Sequence, residues 1–301
     1  MKLPAGIEVG VSSHTGLVRR ANEDDYLLAL PAADAEPGLV IAIADGMGGV
    51  AGGAEASRTA LRALGSVLVD GATAAPVQRM QLAFRAASAK VFEAATAVPV
   101  LRDMGTTLTA LWLTAGGVGC IGHVGDTRLY RVREREWLSL TEDHVAKQGE
   151  SLLTRCVGGG QASTECDAER VTFASGDRYV LVSDGVWNVV AEDAFAAIVT
   201  SLQPCQVLAE RLVQAALDAG APDNATAVVV DVLSTDLGDS RDVELPQKER
   251  PDARRLWPRP RSLRTPLWAW LLLSAAILAL AWVALRAATG VEPMRWLLDR
   301  V

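Results

Sequence analysis

Residues 107–124 read TLTALWLTAGGVGCIGHV, two short apolar runs on either side of an Ala-Gly-Gly turn. Runs of seven or eight apolar residues bounded by turn formers are read as strands, here 107–114 and 118–124. A turn centred on Gly116 and Gly117 reverses the chain at once, so the pair is an antiparallel hairpin and not a strand–helix–strand crossover. Outward from it, 39–44 (LVIAIA), 179–183 (YVLVS) and 225–232 (ATAVVVDV) have the same short apolar character. Between them, 54–69 places Ala60, Leu61, Leu64, Val67 and Leu68 on one helical face, 77–96 is helix-like, and 205–219 has Pro204 at its start and Gly220 past its end. The pattern is mixed α and β. It contains no internal repeat and no Gly-rich nucleotide loop.

The chain has 301 residues, half of them hydrophobic, enough for one large domain or two small ones. Its net charge of −7 is unevenly spread: residues 1–247 carry 19 Lys/Arg against 32 Asp/Glu, while 248–264 carry 7 against 2. An acidic body repels a phosphate backbone, which argues against nucleic-acid binding. Four scattered cysteines and three dispersed histidines form no zinc-ligand spacing, and a reduced compartment is expected. No apolar run follows the N-terminus, so no secretory signal is read there.

Residues 267–285 contain no charge over 19 positions, close to the roughly 20 a spanning helix needs, and are apolar all round. Five of the eight tryptophans (Trp257, Trp268, Trp270, Trp282, Trp296) lie at or near its ends. Seven Lys/Arg precede the run and three follow it, an asymmetry that puts the N-terminal body on the cytoplasmic side of an inner membrane. The expected organisation is a catalytic domain over 1–236, a basic Pro-rich linker over 237–264, a transmembrane helix over 265–286 in contact with the lipid bilayer, and a short extracytoplasmic tail over 287–301.

Acidic residues gather where strands end. Asp45-Gly46 follows LVIAIA, Asp184-Gly185 follows YVLVS, Asp223-Asn224 precedes ATAVVVDV, and Glu23, Asp24 and Asp25 precede the apolar 26–30. Singly, each is an ordinary turn. Brought together, the carboxylates repel one another and are costly to bury unless cations or protons neutralise them. Oxygen donors without His or Cys suit Mg²⁺ or Mn²⁺, and two such ions support phosphoester hydrolysis. A guanidinium to orient phosphate oxygens is supplied by Arg19 or its neighbour Arg20.

Seven segments in order, SHTGLVRRANEDD (13–25), VIAIADGMGG (40–49), MGTTLTALW (104–112), GHVGDTRLYRV (122–132), LTEDH (140–144), YVLVSDGVW (179–187) and APDNATAVVV (221–230), resemble the bacterial form of the metal-dependent serine/threonine phosphatases of the protein phosphatase 2C family. The resemblance implies an α+β fold, a four-layer α-β-β-α sandwich of two antiparallel sheets flanked by helices, with a two-metal cleft at one end. It implies that Asp45 bridges two Mn²⁺ or Mg²⁺ ions, that Gly46 ligates through its carbonyl, that Glu23 holds the second ion and that Asp184 and Asp223 hold the first. Asp24 holds metal-bound water, Arg19 takes the phosphate position, and Asp103 with Asp184 marks a third ion. The implied reaction is removal of phosphate from phosphoSer or phosphoThr of proteins by a water bridging the two ions. Membrane-bound kinases and their substrates are the partners a membrane tether favours.

Two departures from the family pattern matter. Met47 stands where animal relatives place a histidine general acid, so leaving-group protonation falls to water. Only a few residues separate His144 from 152–159, where many bacterial relatives carry a longer flap, so an open cleft is expected. His14, His123 and His144 are read as structural. The competing functions are a phosphatase dedicated to one regulatory switch protein, a small-molecule phosphatase, and a catalytically silent membrane-anchored binding module.

Overall fold

Gly38–Met47 is buried on both faces, and its side chains divide strictly by parity. Leu39, Ile41 and Ile43 enter one hydrophobic core, whereas Val40, Ala42 and Ala44 enter another. A strand with no polar face must lie between two apolar layers, and the small Ala42 and Ala44 mark the side on which a helix packs closely.

The computed structural model describes residues 2–32, 38–48, 52–70, 75–146, 152–238 and 240–243. The chain divides into two units, Met1–Pro251 and Asp252–Val301, and all described residues lie in the first. In chain order the elements are β1 (Lys2–Pro4), β2 (Ile7–His14), β3 (Asp24–Ala29), β4 (Gly38–Met47), α1 (Gly52–Val69), α2 (Pro76–Ala97), β5 (Gly105–Thr106), β6 (Leu108–Thr114), β7 (Val118–Val124), β8 (Arg128–Arg133), β9 (Glu136–Ser139), β10 (Val157–Gly158), β11 (Asp167–Thr172), β12 (Arg178–Val182), α3 (Asp184–Trp187), α4 (Glu192–Val199), α5 (Cys205–Asp218), β13 (Ala225–Val232) and β14 (Ser240–Asp242).

The first sheet runs β3-β4-β6-β7-β11, with β5 and β10 extending it beside the end of β4. The second runs β2-β13-β12-β8-β9. Every neighbouring pair is antiparallel. Ile41, Ile43, Leu111 and Ile121 of the first sheet meet Val9, Leu181, Val228 and Val230 of the second in a core between the sheets. Helices α1 and α2 cover the outer face of the first sheet through Leu61, Leu64, Met80 and Phe84. Helix α5 and the shorter α4 cover the second through Leu208, Leu212, Phe195 and Ile198. Fully burying side chains of this size stabilises by about 1.5–3 kcal/mol each. The α+β sandwich of four layers is thus the one expected.

The 107–124 hairpin forms, with Leu111 opposite Ile121, and Gly116 and Gly117 both take positive φ, 81° and 79°. All the helices and strands read from sequence are present. Strands β2, β8 and β11 and helix α4 were not read. RLYRVR in β8 and DAERVT in β11 carry charges on their outer positions, and the eight residues of α4 are too few to show a period. The folded body also passes the expected boundary at 236, because β14 pairs with β1, Leu3 opposite Arg241. The expected span at 267–285, with the linker and tail around it, lies outside the described residues. Among the described residues no helix is long and apolar enough to cross a membrane.

Close packing of α5 on β2 rests on Gly10: a Cβ there meets the carbonyl carbon of Cys205 and the amide of Gln206, each at 2.2 Å. Gly10→Ala is expected to destabilise by about 2–3 kcal/mol through overpacking, read as a lowered urea midpoint. Ser66→Ala, on the exposed side of α1, should stay within about 0.5 kcal/mol.

Candidate functional site

Antiparallel register sets Asp24, the first residue of β3, directly opposite Asp45, near the end of β4. The Asp45 backbone is fixed from both sides: its N–H donates to Thr107 Oγ1 at 2.9 Å, and its carbonyl accepts from Thr107 N at 2.9 Å and Thr106 Oγ1 at 2.8 Å. Asp184 opens α3 where β12 ends, and the residue before it joins the two sheets. Ser183 Oγ donates to Asp24 Oδ2 at 2.7 Å and accepts from Thr226 N at 3.0 Å.

Asn224, beside Asp223, organises the loop that carries Arg19 and Glu23. Its Oδ1 accepts from Glu23 N at 2.8 Å, and its Nδ2 donates to the carbonyls of Thr15 at 2.8 Å and Ala21 at 2.9 Å. Arg19, half exposed, donates through Nη2 to Asp223 Oδ2 at 2.6 Å. The start of α1 closes the site from the other side: Ser57 Oγ donates to the Glu23 carbonyl at 2.7 Å. A Cβ at Gly46 would lie 2.1 Å from the Gly53 carbonyl oxygen, so only glycine admits the helix this close.

The electrostatic consequence is a set of carboxyls that resist ionisation. Burial pushes Asp45 well above the usual carboxylate range, and the charges of Asp24, Asp184, Asp126 and Asp223 push it further. Asp24, 1% exposed, is raised to about 7 by burial, against the hydrogen bonds of Thr226 and Ser183, which favour its charge. Asp184 is raised by burial and by Asp223, and Glu23 by burial against the opposing field of Arg19. Oδ1 of Asp184 is buried and accepts no hydrogen bond from any described residue. Such a cluster is stabilised by a positive group, and its donors are all oxygens, the set that hard divalent cations prefer. Among the described residues no three acidic, His or Cys side chains are placed as they stand to hold one metal ion; Asp223 spends one oxygen on Arg19.

The matches to known proteins coincide with this geometry. The protein phosphatase 2C family model matches residues 15–219. The chain belongs to the protein phosphatase 2C family. It is 31% identical over 250 residues to the serine/threonine protein phosphatase PstP of Mycobacterium tuberculosis, covering 77% of this chain and 46% of that protein. It is 30% identical over 216 residues to the protein phosphatase PhpP of Streptococcus pneumoniae, covering 65% and 87%. The chain therefore spans about half the length of the mycobacterial relative and most of the streptococcal one. Among solved structures, the catalytic domain of PstP in complex with two manganese ions superposes with a TM-score of 0.66 at 31% identity, covering 78% of this chain and all of that one. The phosphatase MsPP of Mycobacterium smegmatis in complex with cacodylate gives 0.61 at 32% identity, covering 74% and 97%.

Within this protein phosphatase 2C fold, Glu23, Asp24, Asp45, Gly46, Asp184 and Asp223 come together at one end of the sandwich, with Arg19 on its rim. Between the two arginines left open by chemistry, Arg19 holds the acid contact and Arg20 is exposed. Asp103 is exposed on the turn before β5, next to Met104, whose backbone packs against Gly48. Asp126 is a further acid beside the cluster, raised to about 7 by burial and then by Asp184. The signal for it was present in the sequence, since Asp126 follows the 118–124 strand much as Asp45 follows 39–44.

The histidines are structural. His123, 2% exposed, is held down to about 4 by burial, with Nε2 donating to the Glu142 carbonyl at 3.0 Å and Nδ1 beside Thr109 Oγ1 at 2.9 Å. His144 accepts from Gly125 N at 3.0 Å through Nδ1 and faces Asp167 through Nε2 at 2.9 Å, which fixes the turn carrying Asp126. His14 accepts from Gly16 N at 2.9 Å in the loop before Arg19. After His144 the chain is bridged at Val145 opposite Leu153, with Ala146 N donating to Leu152 O and Thr154 N to His144 O; residues 147–151, where the short flap was expected, lie outside the described residues.

Binding of a divalent cation should relieve the mutual repulsion. Mn²⁺ at about a hundred times its dissociation constant is expected to stabilise the protein by about 2.7 kcal/mol, with proton release measurable by calorimetry in two buffers. Asp45→Asn should lose most of this thermal shift.

Proposed function

We propose that this chain is a divalent-metal-dependent serine/threonine protein phosphatase. The observation that carries the reading is the convergence of mutually repelling, buried carboxyls beside a guanidinium, in a family whose relatives bear that name. Retained repulsion of this kind has no structural use, which also argues against a silent binding module.

Glu23, Asp45, Asp184 and Asp223, with the Gly46 carbonyl, would hold two Mn²⁺ or Mg²⁺ ions, and Asp103 with Asp184 would hold a third. When bound, the ions supply charge neutralisation and an acidified bridging water for in-line attack at phosphorus. Arg19 sits at the rim and carries a charge already partly exposed, so it binds phosphate oxygens without the cost of burying a new ion. Asp24, clamped by Ser183, holds water at the floor of the site. Met47 offers no proton, and neither His123 nor His144 has a ring nitrogen to spare, so the leaving serine or threonine oxygen takes its proton from solvent.

The uncharged run at 267–285, preceded by seven Lys/Arg, supports an inner-membrane tether with the catalytic body in the cytoplasm. A tether concentrates the enzyme near membrane-bound phosphoproteins, including kinases.

Hydrolysis of a phosphothreonine peptide by the full chain should require Mn²⁺ or Mg²⁺ and stop with chelator. Asp184→Asn should lose at least about a hundredfold in kcat, and Arg19→Ala about 10–100-fold in kcat/KM, chiefly through KM. Metal-independent hydrolysis, or full activity of Asp184→Asn, would overturn the two-ion reading. The full chain should also stay with membranes through carbonate washing while a chain lacking 244–301 does not; release of both would remove the tether.

A further inference from the structure

Beside the acid cluster, a cavity of about 790 Å³ opens on the outer face of the second sheet, between β8, the edge strand β9, α3 and α4. Its floor is aromatic. Tyr130, Trp137 and Phe195 form a mutually tilted triad with ring centroids 5.0–5.6 Å apart. Trp187 completes it, and both tryptophans are half-buried.

The charges around this floor have one sign to spare. Arg128, the cation lining the cavity, is wholly engaged: it donates to both oxygens of Asp143 at 2.7–3.2 Å, to Tyr130 Oη at 3.3 Å, and lies 3.5 Å over the Trp187 ring. Its charge is cancelled by Asp143. Glu142 and Glu192 also line the cavity, both exposed, and neither has an ion-pair partner among the described residues. Aromatic surface with unpaired carboxylates at the rim suits a long cationic side chain, whose methylene stem packs on rings while its head reaches water and acid.

The cavity is also joined to the site. Trp187 lies one helical turn after Asp184, and its Nε1 donates to the Asp126 carbonyl at 2.9 Å. Arg128 is two residues beyond Asp126. A peptide whose phosphoresidue meets Arg19 and the acid cluster can run on toward the cavity at about 3.3 Å per extended residue.

We propose that this aromatic and acidic cavity binds an arginine or lysine of the phosphoprotein substrate a few residues from the phosphoresidue, so that the enzyme prefers basic phosphopeptides. The proposal rests on the phosphatase reading and adds the substrate class to it. The cavity rejects acidic flanking residues because Arg128 has no charge left to offer them.

The test compares full-chain protein on phosphothreonine peptides that differ only in carrying Arg, Ala or Glu at positions two to five residues to either side, with p-nitrophenyl phosphate as a substrate too small to reach the cavity. The Arg peptide should be favoured over the Ala peptide about tenfold in kcat/KM, mainly through KM, and the Glu peptide should be worst. The double variant Glu142→Gln/Glu192→Gln should level the three peptides while its p-nitrophenyl phosphate rate is unchanged, and Glu192→Lys should turn the preference toward Glu. Equal wild-type rates on all peptides, or a preference that survives the double variant, would overturn the proposal. Tryptophan fluorescence titrated with the unphosphorylated Arg peptide separates the two readings. Binding lost in the double variant, with no hydrolysis of any substrate, would leave the cavity assignment standing and remove the phosphatase; hydrolysis with no preference and no binding would do the reverse.

Discussion

The hydrogen bond from Ser183 Oγ to Asp24 Oδ2, 2.7 Å long, ties one sheet to the other at the end where the acids meet. Apolar packing between the sheets is non-directional and tolerates sliding, since Ile, Leu and Val side chains pack about equally well in neighbouring positions. A buried carboxylate does not tolerate it. Asp24 is all but sealed from water, and displacement of Ser183 by one residue would remove its 2.7 Å hydrogen bond to a buried carboxyl, costing on the order of 1–3 kcal/mol. Thr226 N completes the same link from β13, so three strands of the two sheets share one polar junction. The arrangement of Asp45, Asp184 and Asp223 relative to one another follows from that junction.

The same region explains why the acids are kept close when closeness is costly. Each of Asp24, Asp45, Asp126 and Asp184 is pushed toward its neutral form first by burial. Hydrogen bonds offset part of this at Asp24, Asp126 and Asp184, and Arg19 meets Asp223 at the rim. The balance is met by bound protons or by cations, and the all-oxygen donor set selects which cations. Histidine takes no part in this balance. His123 and His144 are instead used beneath the β7–β8 turn, where burial holds His123 neutral and its ring nitrogens are occupied.

The fold was legible wherever burial is two-sided. Strands β4, β6, β7, β12 and β13 lie between layers, and their continuous apolar runs stand out in the sequence. β8 and β11 were hidden because each shows charged residues to solvent, Arg128 and Arg131 in one, Glu169 and Arg170 in the other. At the site, the rule that acids follow strand ends located Asp45 and Asp184, Asp223 stood out in the turn just before β13, and the same rule reaches Asp126. Asp103 was placed by its neighbourhood to the MGTT motif, and it lies on the exposed turn just before β5. Ser183 and Asn224 could not be singled out, because their roles lie in contacts 159 and 201 residues away.

Two populations of carboxylate can therefore be told apart by their surroundings. Those at the strand ends are buried, fixed by backbone and Ser183, and cannot be neutralised by a mobile side chain without paying its entropy and desolvation; a resident ion suits them. Glu142 and Glu192 are exposed on the outer face of the second sheet, where an ion pair is weak in isolation and salt-screened. Weak pairing would suit the proposed substrate site, since a product that must leave cannot be held as tightly as a metal. Aromatic surface from Trp137 and Trp187 supplies the remaining attraction without adding charge, and Asp143 keeps Arg128 from contributing any. The acidic body, unfavourable for a phosphate in general, is thus compatible with a phosphorylated substrate in which anionic and cationic groups lie side by side.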